Sequence, residues 1–128
     1  MAGDAQALAQ GRFYKRLAVQ AARAADDKKA EDIILLHIKP VSGVADYLLI
    51  ASCSSAPQID AVEDHIKRFF KDQGILTHHR DGRLSDRWRV LDYGGLLVHL
   101  MHPESRQHYR LETLFKGAPK VRWEAAGA

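Results

Sequence analysis

The clearest alternation of apolar and polar positions begins at residue 88, where it predicts a β-strand over residues 88–93. Successive side chains of a strand point to opposite faces. The two faces carry Trp88, Val90 and Asp92, and Arg89, Leu91 and Tyr93, respectively. Gly94 and Gly95 follow and can supply the positive φ angles of a two-residue hairpin turn. A second strand is therefore expected directly after them.

Residues 96–101 form an apolar run interrupted only by His99. A short continuous run of this kind is typical of a central strand that is covered on both sides. Pro103 suits the first turn of a helix, where its missing N–H needs no partner, and we predict that this helix continues to Phe115. The rest of the chain is expected to pack around this strand–turn–strand–helix unit.

Upstream, Phe13 begins a helical pattern, preceded by an Ala- and Gln-rich lead-in over residues 1–12 that we predict to be flexible. Two apolar segments, residues 33–38 and 46–51, predict strands, and their short connection permits an antiparallel pair.

Residues 55–74 predict the most regular helix, with Ser55 as its N-cap, Gln58 reaching back in a capping box, and Gly74 after its end. A short strand over residues 75–79, a polar loop over 80–86, and a tail over 117–128 without periodicity complete the chain. This order predicts one α/β (α+β) domain over residues 13–116, a mixed sheet of about five strands flanked by helices.

Composition narrows the function classes. The chain of 128 residues is 46% hydrophobic and 27% charged, as is ordinary for a soluble globular domain, and it contains no apolar run of membrane-spanning length. One cysteine excludes an internal disulfide and favours a reducing compartment. The pI is about 9.1, but acidic residues are interleaved with the basic ones, so direct nucleic-acid binding is not expected. The start of the chain lacks a convincing presequence, which favours a bacterial cytoplasm.

Seven histidines raise the possibility of a metal site. His99 and His102 have the spacing of a helical ligand pair, but in a strand that spacing points to opposite faces, as it does for the neighbours His78 and His79. We therefore predict no metal ligands. Cys53 precedes a helix N-terminus, which would lower a thiol pKa, but a small half-buried thiol is the preferred interpretation.

The sequence contains no motif that indicates enzymatic chemistry. A small α/β sheet raises the nucleotidyltransferase hypothesis, which needs two carboxylates two residues apart on one strand to hold metal ions. No Asp-x-Asp occurs, and Asp46 and Asp92 stand alone. No P-loop, dinucleotide-binding fingerprint or nucleophile elbow occurs either. We predict neither an enzyme nor a cofactor.

The residues from 86 to 115 do suit a protein interface, since large amphipathic aromatics and arginines dominate such surfaces. These are Trp88, Tyr93 and Tyr109 with Arg87, Arg106 and Arg110, and acidic partners in Glu104 and Glu112. The alternative is that the aromatics belong to the core and the charges form a solvated helix face. Physical chemistry alone leaves these two interpretations open.

Specific residues then point to a known family. The relevant motifs are Asp86-x-Trp88-x-Val90-Leu91-Asp92-Tyr93-Gly94, Val98-His99, Glu104-x-Arg106, Tyr109, Leu111-Glu112-x-Leu114, and upstream Lys29-Ala30-Glu31-Asp32-Ile33, Asp46-Tyr47-x-x-Ile50-Ala51-Ser52 and Gln58. Together they resemble the ribosomal silencing factor family, also called Iojap-related proteins. The resemblance covers roughly residues 24–115.

That resemblance implies a nucleotidyltransferase-like fold without catalytic carboxylates. It also implies binding to ribosomal protein fourteen of the large subunit, steric blocking of small-subunit joining, and repression of translation when nutrients are scarce. Family members often form homodimers, and organellar relatives assist large-subunit assembly. As partner-binding residues we predict Trp88, Asp92, Tyr93, His99, His102, Glu104, Arg106, Tyr109 and Glu112.

The sequence departs from the family at five positions. Gly95 stands where an Asp is usual, so a polar contact with the partner is in doubt there. The other four are His37 for Asp, Cys53 for Gly, Pro57 for Arg and Phe115 for Trp. Two rival functions stay open: a large-subunit assembly factor that binds rRNA, and a nucleotide-using enzyme of the same fold.

Overall fold

Helices cover both faces of a mixed five-stranded sheet in this computed structural model, which describes residues 2–81 and 85–125. The predicted fold class is confirmed. In chain order the elements are α1 (Ala2–Asp27), β1 (Glu31–His37), β2 (Tyr47–Ser52), α2 (Ala56–Lys71), β3 (His79–Asp81), β4 (Trp88–Asp92), β5 (Leu96–Met101), α3 (Pro103–Tyr109) and a 3-10 helix (Leu111–Phe115). No described helix has the length and apolar character needed to span a membrane.

The strand order is β1-β2-β5-β4-β3, with β2 and β5 parallel and the other neighbours antiparallel. The predicted central position of β5 and the antiparallel pairing of β1 with β2 are both confirmed. β5 lies in the middle because its apolar run satisfies both faces of the sheet.

One face of the sheet is deeply covered. Leu17 of α1 and Ile66 of α2 pack with Leu49 and Val98 of the sheet in the larger buried cluster. Residues 56–71 form α2 because Ser55 Oγ accepts a hydrogen bond from Gln58 N at 3.2 Å, as an N-cap should. The Gln58 side chain differs from the prediction, since it accepts from Ser54 N at 2.8 Å instead of reaching the N-cap nitrogen.

A buried ion pair ties α2 to the sheet. Arg89 of β4 lies 2.9 Å from Glu63, and both side chains are almost fully buried; the more exposed Asp60 lies 2.7 Å from the same guanidinium. Two carboxylates offset the cost of removing the Arg89 charge from water. This pair also explains how an arginine can occupy the inward face of β4.

The opposite face carries a smaller cluster that includes Leu48, Ile50, Met101 and Leu111. It is covered mainly by α3 and the 3-10 helix, which are short. Trp88 and Leu97 are only partly buried at its edge. This thinly covered side is where a partner can approach the sheet.

Five predictions about local structure need correction. The helix predicted to begin at Phe13 begins instead at Ala2, because Ala and Gln are helix formers that extend α1 outward from its packed part. The strand expected at residues 75–79 begins only at His79, and α2 ends at Lys71, so Gly74 lies beyond the cap. The helix expected from Pro103 to Phe115 is broken at Arg110, which has φ +46°. The strand that begins at His79 continues to Asp81, so residues 80 and 81 of the loop predicted over residues 80–86 belong to β3, and the rest of that loop lies partly outside the described residues.

The tail without periodicity is also structured over its described part. His37 N donates to Pro119 O at 2.9 Å and Val121 N donates to Leu35 O at 2.8 Å, while Trp123 packs on the larger cluster. This segment covers the outer edge of β1, which would otherwise be open to pairing with another chain.

Candidate functional site

Three rings meet at the edge of the thinly covered face. The Trp88 ring of β4 lies 4.9 Å from the Tyr109 ring of α3 and 5.9 Å from the His99 ring of β5, between centroids. Trp88 Nε1 also donates a hydrogen bond to His99 Nδ1 at 2.9 Å. Trp88 is half-buried, whereas Tyr109 is 57% exposed. The sheet therefore holds an aromatic residue in place below one that faces solvent.

The hydrogen bond from Trp88 determines which ring nitrogen of His99 carries the proton. Because Nδ1 accepts, the ring is neutral and carries its hydrogen on Nε2. Burial lowers the pKa of His99 from 6.5 to about 4, since charging the ring would cost solvation. His99 is thus a neutral support for Trp88 at physiological pH.

A polar group lies beside the rings at the start of α3. His102 is the N-cap, and its Nδ1 accepts from Glu104 N at 3.1 Å. Arg87 Nη1 lies 3.1 Å from the same nitrogen and 3.2 Å from Glu104 Oε2. The Arg87–Glu104 pair is exposed, and such pairs are worth at most about 1 kcal/mol. Either partner can therefore exchange this contact for one with another protein.

A shallow groove of about 550 Å³ joins these features, and its residues are Arg87, Trp88, Glu104, Ser105, His108 and Tyr109. We call this set the α3 groove. Arg87, Trp88 and Tyr109 are of residue types that are enriched in protein interfaces. His108, which stacks edge-on against Tyr109 at 4.8 Å, and Ser105 were absent from the predicted set. The pattern of apolar positions gives no signal for either, because both lie on the outer side of a short helix.

Arg106 and Glu112 bind each other instead of facing outward. Arg106 is only 9% exposed, and its Nε donates to Glu112 Oε1 at 2.7 Å. Its Nη1 donates to Ser52 Oγ at the end of β2, at 2.8 Å. The pair connects α3, the 3-10 helix and β2, so its geometry suits a brace beneath the surface.

Tyr93 and Asp92 lie away from the α3 groove. Tyr93 is 2% exposed, on the opposite face of the sheet, with its ring 4.9 Å from Phe70 of α2; burial raises the pKa of its phenol to about 12. The prediction of Tyr93 as a surface contact is therefore wrong, and its interpretation as a core aromatic is right. Asp92 lies at the hairpin end of β4, where its Oδ1 accepts from Gly94 N at 2.8 Å.

The hairpin itself explains Gly95. A Cβ at this position would lie 2.3 Å from the Tyr14 ring of α1. Gly94 has φ +87°, which an L-residue rarely adopts. α1 therefore packs directly against the turn, and Gly95 permits this close contact because it has no side chain.

The surroundings of the histidines and of Cys53 bear on the metal and thiol hypotheses. In residues 2–81 and 85–125 no three His, Cys, Asp or Glu side chains converge on a possible metal position. Cys53 is fully buried, and burial raises the pKa of its thiol to about 11, so the helix N-terminus does not make it reactive.

Comparison with known proteins finds matches between this chain and one family. The model of the family described as "Ribosomal silencing factor during starvation" matches residues 13–127. A protein named ribosomal silencing factor RsfS from Halalkalibacterium halodurans is 38% identical over 104 residues, covering 81% of this chain and 89% of that protein. The protein of the same name from Bacillus subtilis is 40% identical over 99 residues, covering 77% and 84%.

More distant proteins are also similar. The mouse protein named "Mitochondrial assembly of ribosomal large subunit protein 1" is 29% identical over 91 residues, covering 69% of this chain and 40% of that protein. A crystal structure of a protein from Chromobacterium violaceum superposes with a TM-score of 0.76 at 26% identity, covering 88% of this chain and 94% of that one.

Proposed function

The chain belongs to the ribosomal silencing factor family, and on that premise we propose that it binds the large ribosomal subunit through ribosomal protein fourteen of that subunit. Bound there, it sterically blocks joining of the small subunit and represses translation under nutrient limitation, in the bacterial cytoplasm. The observation that carries this proposal is the α3 groove, with Tyr109 exposed above a rigidly held Trp88.

Three features of the α3 groove and of the 3-10 helix that follows α3 suit a protein partner. Interface energy concentrates in aromatic and arginine residues that a partner buries at the centre of the contact. Tyr109 offers such a ring, and Leu114 of the 3-10 helix adds a second exposed apolar side chain, 73% exposed. Arg87 and Glu104 supply charges of both signs at the rim, which suits a mixed protein surface better than a uniformly negative polymer.

Steric occlusion needs only binding at the right place. A standard interface of about 800 Å² on each partner is enough for stable association, so no chemical step is required. His102, Glu104 and Tyr109 are the proposed direct contacts. Trp88 and His99 position Tyr109, and Arg106 with Glu112 holds α3 on β2.

Asp92 stays a proposed contact at a second point. It lies on the same sheet face as Trp88, at the other end of β4, and pairs in register with the partly exposed Leu97 of β5. A partner that covers both the α3 groove and this end of the strand would bury the open part of the sheet between them.

The test is sedimentation of the purified chain with isolated large and small ribosomal subunits, followed by a subunit-joining assay. Binding to large subunits alone, with joining inhibited in proportion to occupancy, is the expected result. Binding to large subunits without any effect on joining would reject occlusion. It would favour the alternative of a large-subunit assembly factor, which the name of the mouse relative suggests.

A further inference from the structure

A row of positive charge runs along the outer surface of α1, far from the α3 groove. Arg12, Lys15, Arg16 and Arg23 are all exposed. With Val19 and Gln20 they line a shallow groove of about 390 Å³ that contains no acidic residue. We call these four cations the α1 stripe. Within the described part of the chain none of them forms an ion pair.

The helix makes the stripe linear. Positions 12, 15, 16, 19 and 23 are related by the three- and four-residue spacing of one helix face, and all of them except Val19 are cations. At 1.5 Å per residue, Arg12 and Arg23 are separated by about 16 Å along the axis. Residues 5–25 contain these four cations and no acidic residue, so this surface is locally positive although acids and bases are interleaved along the rest of the chain.

Two of the arginines are held in position before any ligand arrives. The Arg16 guanidinium lies 5.4 Å from the centroid of the Phe13 ring, a cation–π contact. Arg23 Nε donates to Trp123 O at 2.8 Å, which leaves its terminal nitrogens available to a ligand. Holding an arginine in place reduces the entropy lost on binding.

The stripe lacks what a protein partner requires. Val19, which is half-buried, is the one apolar residue that lines this groove, so the groove offers no deep apolar pocket for a hot spot. A line of guanidinium and ammonium groups instead matches a line of phosphates, to which arginine binds through two hydrogen bonds.

We propose that the α1 stripe binds the phosphate backbone of RNA without sequence preference. The choice of RNA over other polyanions rests on the proposed function, since a factor on the large subunit is surrounded by rRNA. The stripe is a separate site from the α3 groove, because α1 covers one face of the sheet and α3 the other. One chain can therefore contact ribosomal protein and RNA simultaneously.

The experiment measures binding of the full chain to a short fluorescent single-stranded RNA by anisotropy, as a function of salt. The variant is Arg12→Gln/Lys15→Gln/Arg16→Gln, which keeps good helix formers and leaves the Arg23 bond to the tail intact. The matched control is Lys67→Gln/Arg68→Gln/Lys71→Gln, which removes the same charge from the surface of α2, beside the acidic Asp64. Circular dichroism checks that both variants are folded.

The association constant K for RNA falls as salt increases. Loss of three phosphate contacts is expected to make the negative slope of log K against log salt less steep by about 2 and to weaken binding roughly 50-fold at physiological salt. The control is expected to retain most of its affinity. Equal weakening by both variants would overturn the proposal, because net charge would then suffice. Equally tight, stripe-dependent binding of polyglutamate would overturn it in favour of an acidic protein.

This design tests RNA binding by the α1 stripe and protein binding by the α3 groove separately. Tyr109→Ala should leave RNA binding unchanged, whereas the stripe variant should leave binding to isolated ribosomal protein fourteen unchanged. If the stripe variant binds RNA normally, the α1 site is rejected and the role of the α3 groove is untouched.

Discussion

Replacing His99 by Asn should remove a large part of the acid sensitivity of this fold. His99 has a pKa of about 4 in the folded chain, against 6.5 for an unperturbed histidine. Between these values the unfolded chain binds more protons than the folded chain, so the free energy of unfolding falls as the pH falls. The stabilisation is complete above pH 6.5 and is lost through the window down to pH 4.

The magnitude follows from the size of the shift. One pKa unit corresponds to about 1.4 kcal/mol, so this site accounts for about 3 kcal/mol in full. Between about pH 7 and about pH 4.5, most of that window, the loss is about 2 kcal/mol. This is a large share of the stability of a domain of this size, which is of order 10 kcal/mol.

Urea denaturation at several pH values measures the effect. Asn offers an oxygen near the position of Nδ1, so His99→Asn can keep the acceptor for Trp88 Nε1 but does not titrate. Because carboxylates titrate in the same range, the difference between parent and variant is the informative quantity. His108→Asn, at an exposed position of α3, is the matched control and should follow the parent curve.

Identical pH profiles for the parent and His99→Asn would refute this reasoning. That result would mean that His99 is solvated or charged in the folded chain. The inference that His99 positions Trp88, and through Trp88 also Tyr109, would then be wrong.

Further predictions concern packing and the internal brace. Gly95→Ala should destabilise the fold by about 1–3 kcal/mol through its clash with the Tyr14 ring; in a Tyr14→Ala background the same change should cost almost nothing, and a constant cost in thermal unfolding would exclude the clash. Arg106→Leu should cost about 2 kcal/mol by leaving Glu112 and Ser52 without their partner, as urea titration would show, while a change within error would mean that the brace is not energetically significant. Cys53 should resist thiol reagents at about pH 8 in the native state and react fully in urea; fast native labelling would contradict its burial.

Local sequence patterns predicted those elements whose apolar pattern and capping residues agree with the way the element is packed in the fold. The apolar run around Val98 placed β5 at the sheet centre, and Ser55 marked the start of α2, because burial and capping act over a few residues. Arg110 broke the last helix without such a signal, since a non-glycine residue with positive φ is held there by surrounding structure.

The candidate site shows the same limit. Period-two alternation put Trp88 and Tyr93 on opposite faces of one strand, which is correct. It could not tell which face the large helices cover, because that depends on how α1 and α2 pack over the sheet. Arg106 was predicted as a contact because arginine is a residue type that dominates interfaces. Its partners Glu112 and Ser52 come from other elements of the fold, so the local sequence pattern could not show that it is buried.

The most direct test of the proposed docking surface is the affinity of the purified chain for isolated ribosomal protein fourteen of the large subunit. Tyr109→Ala should weaken binding by about 30-fold, as expected for loss of a hot spot worth about 2 kcal/mol, while the fold stays intact. Phe69→Ala is the matched control, because Phe69 is an aromatic residue 43% exposed on α2, on the other side of the sheet. An unchanged affinity for Tyr109→Ala, or an equal loss for Phe69→Ala, would contradict the assignment of the α3 groove.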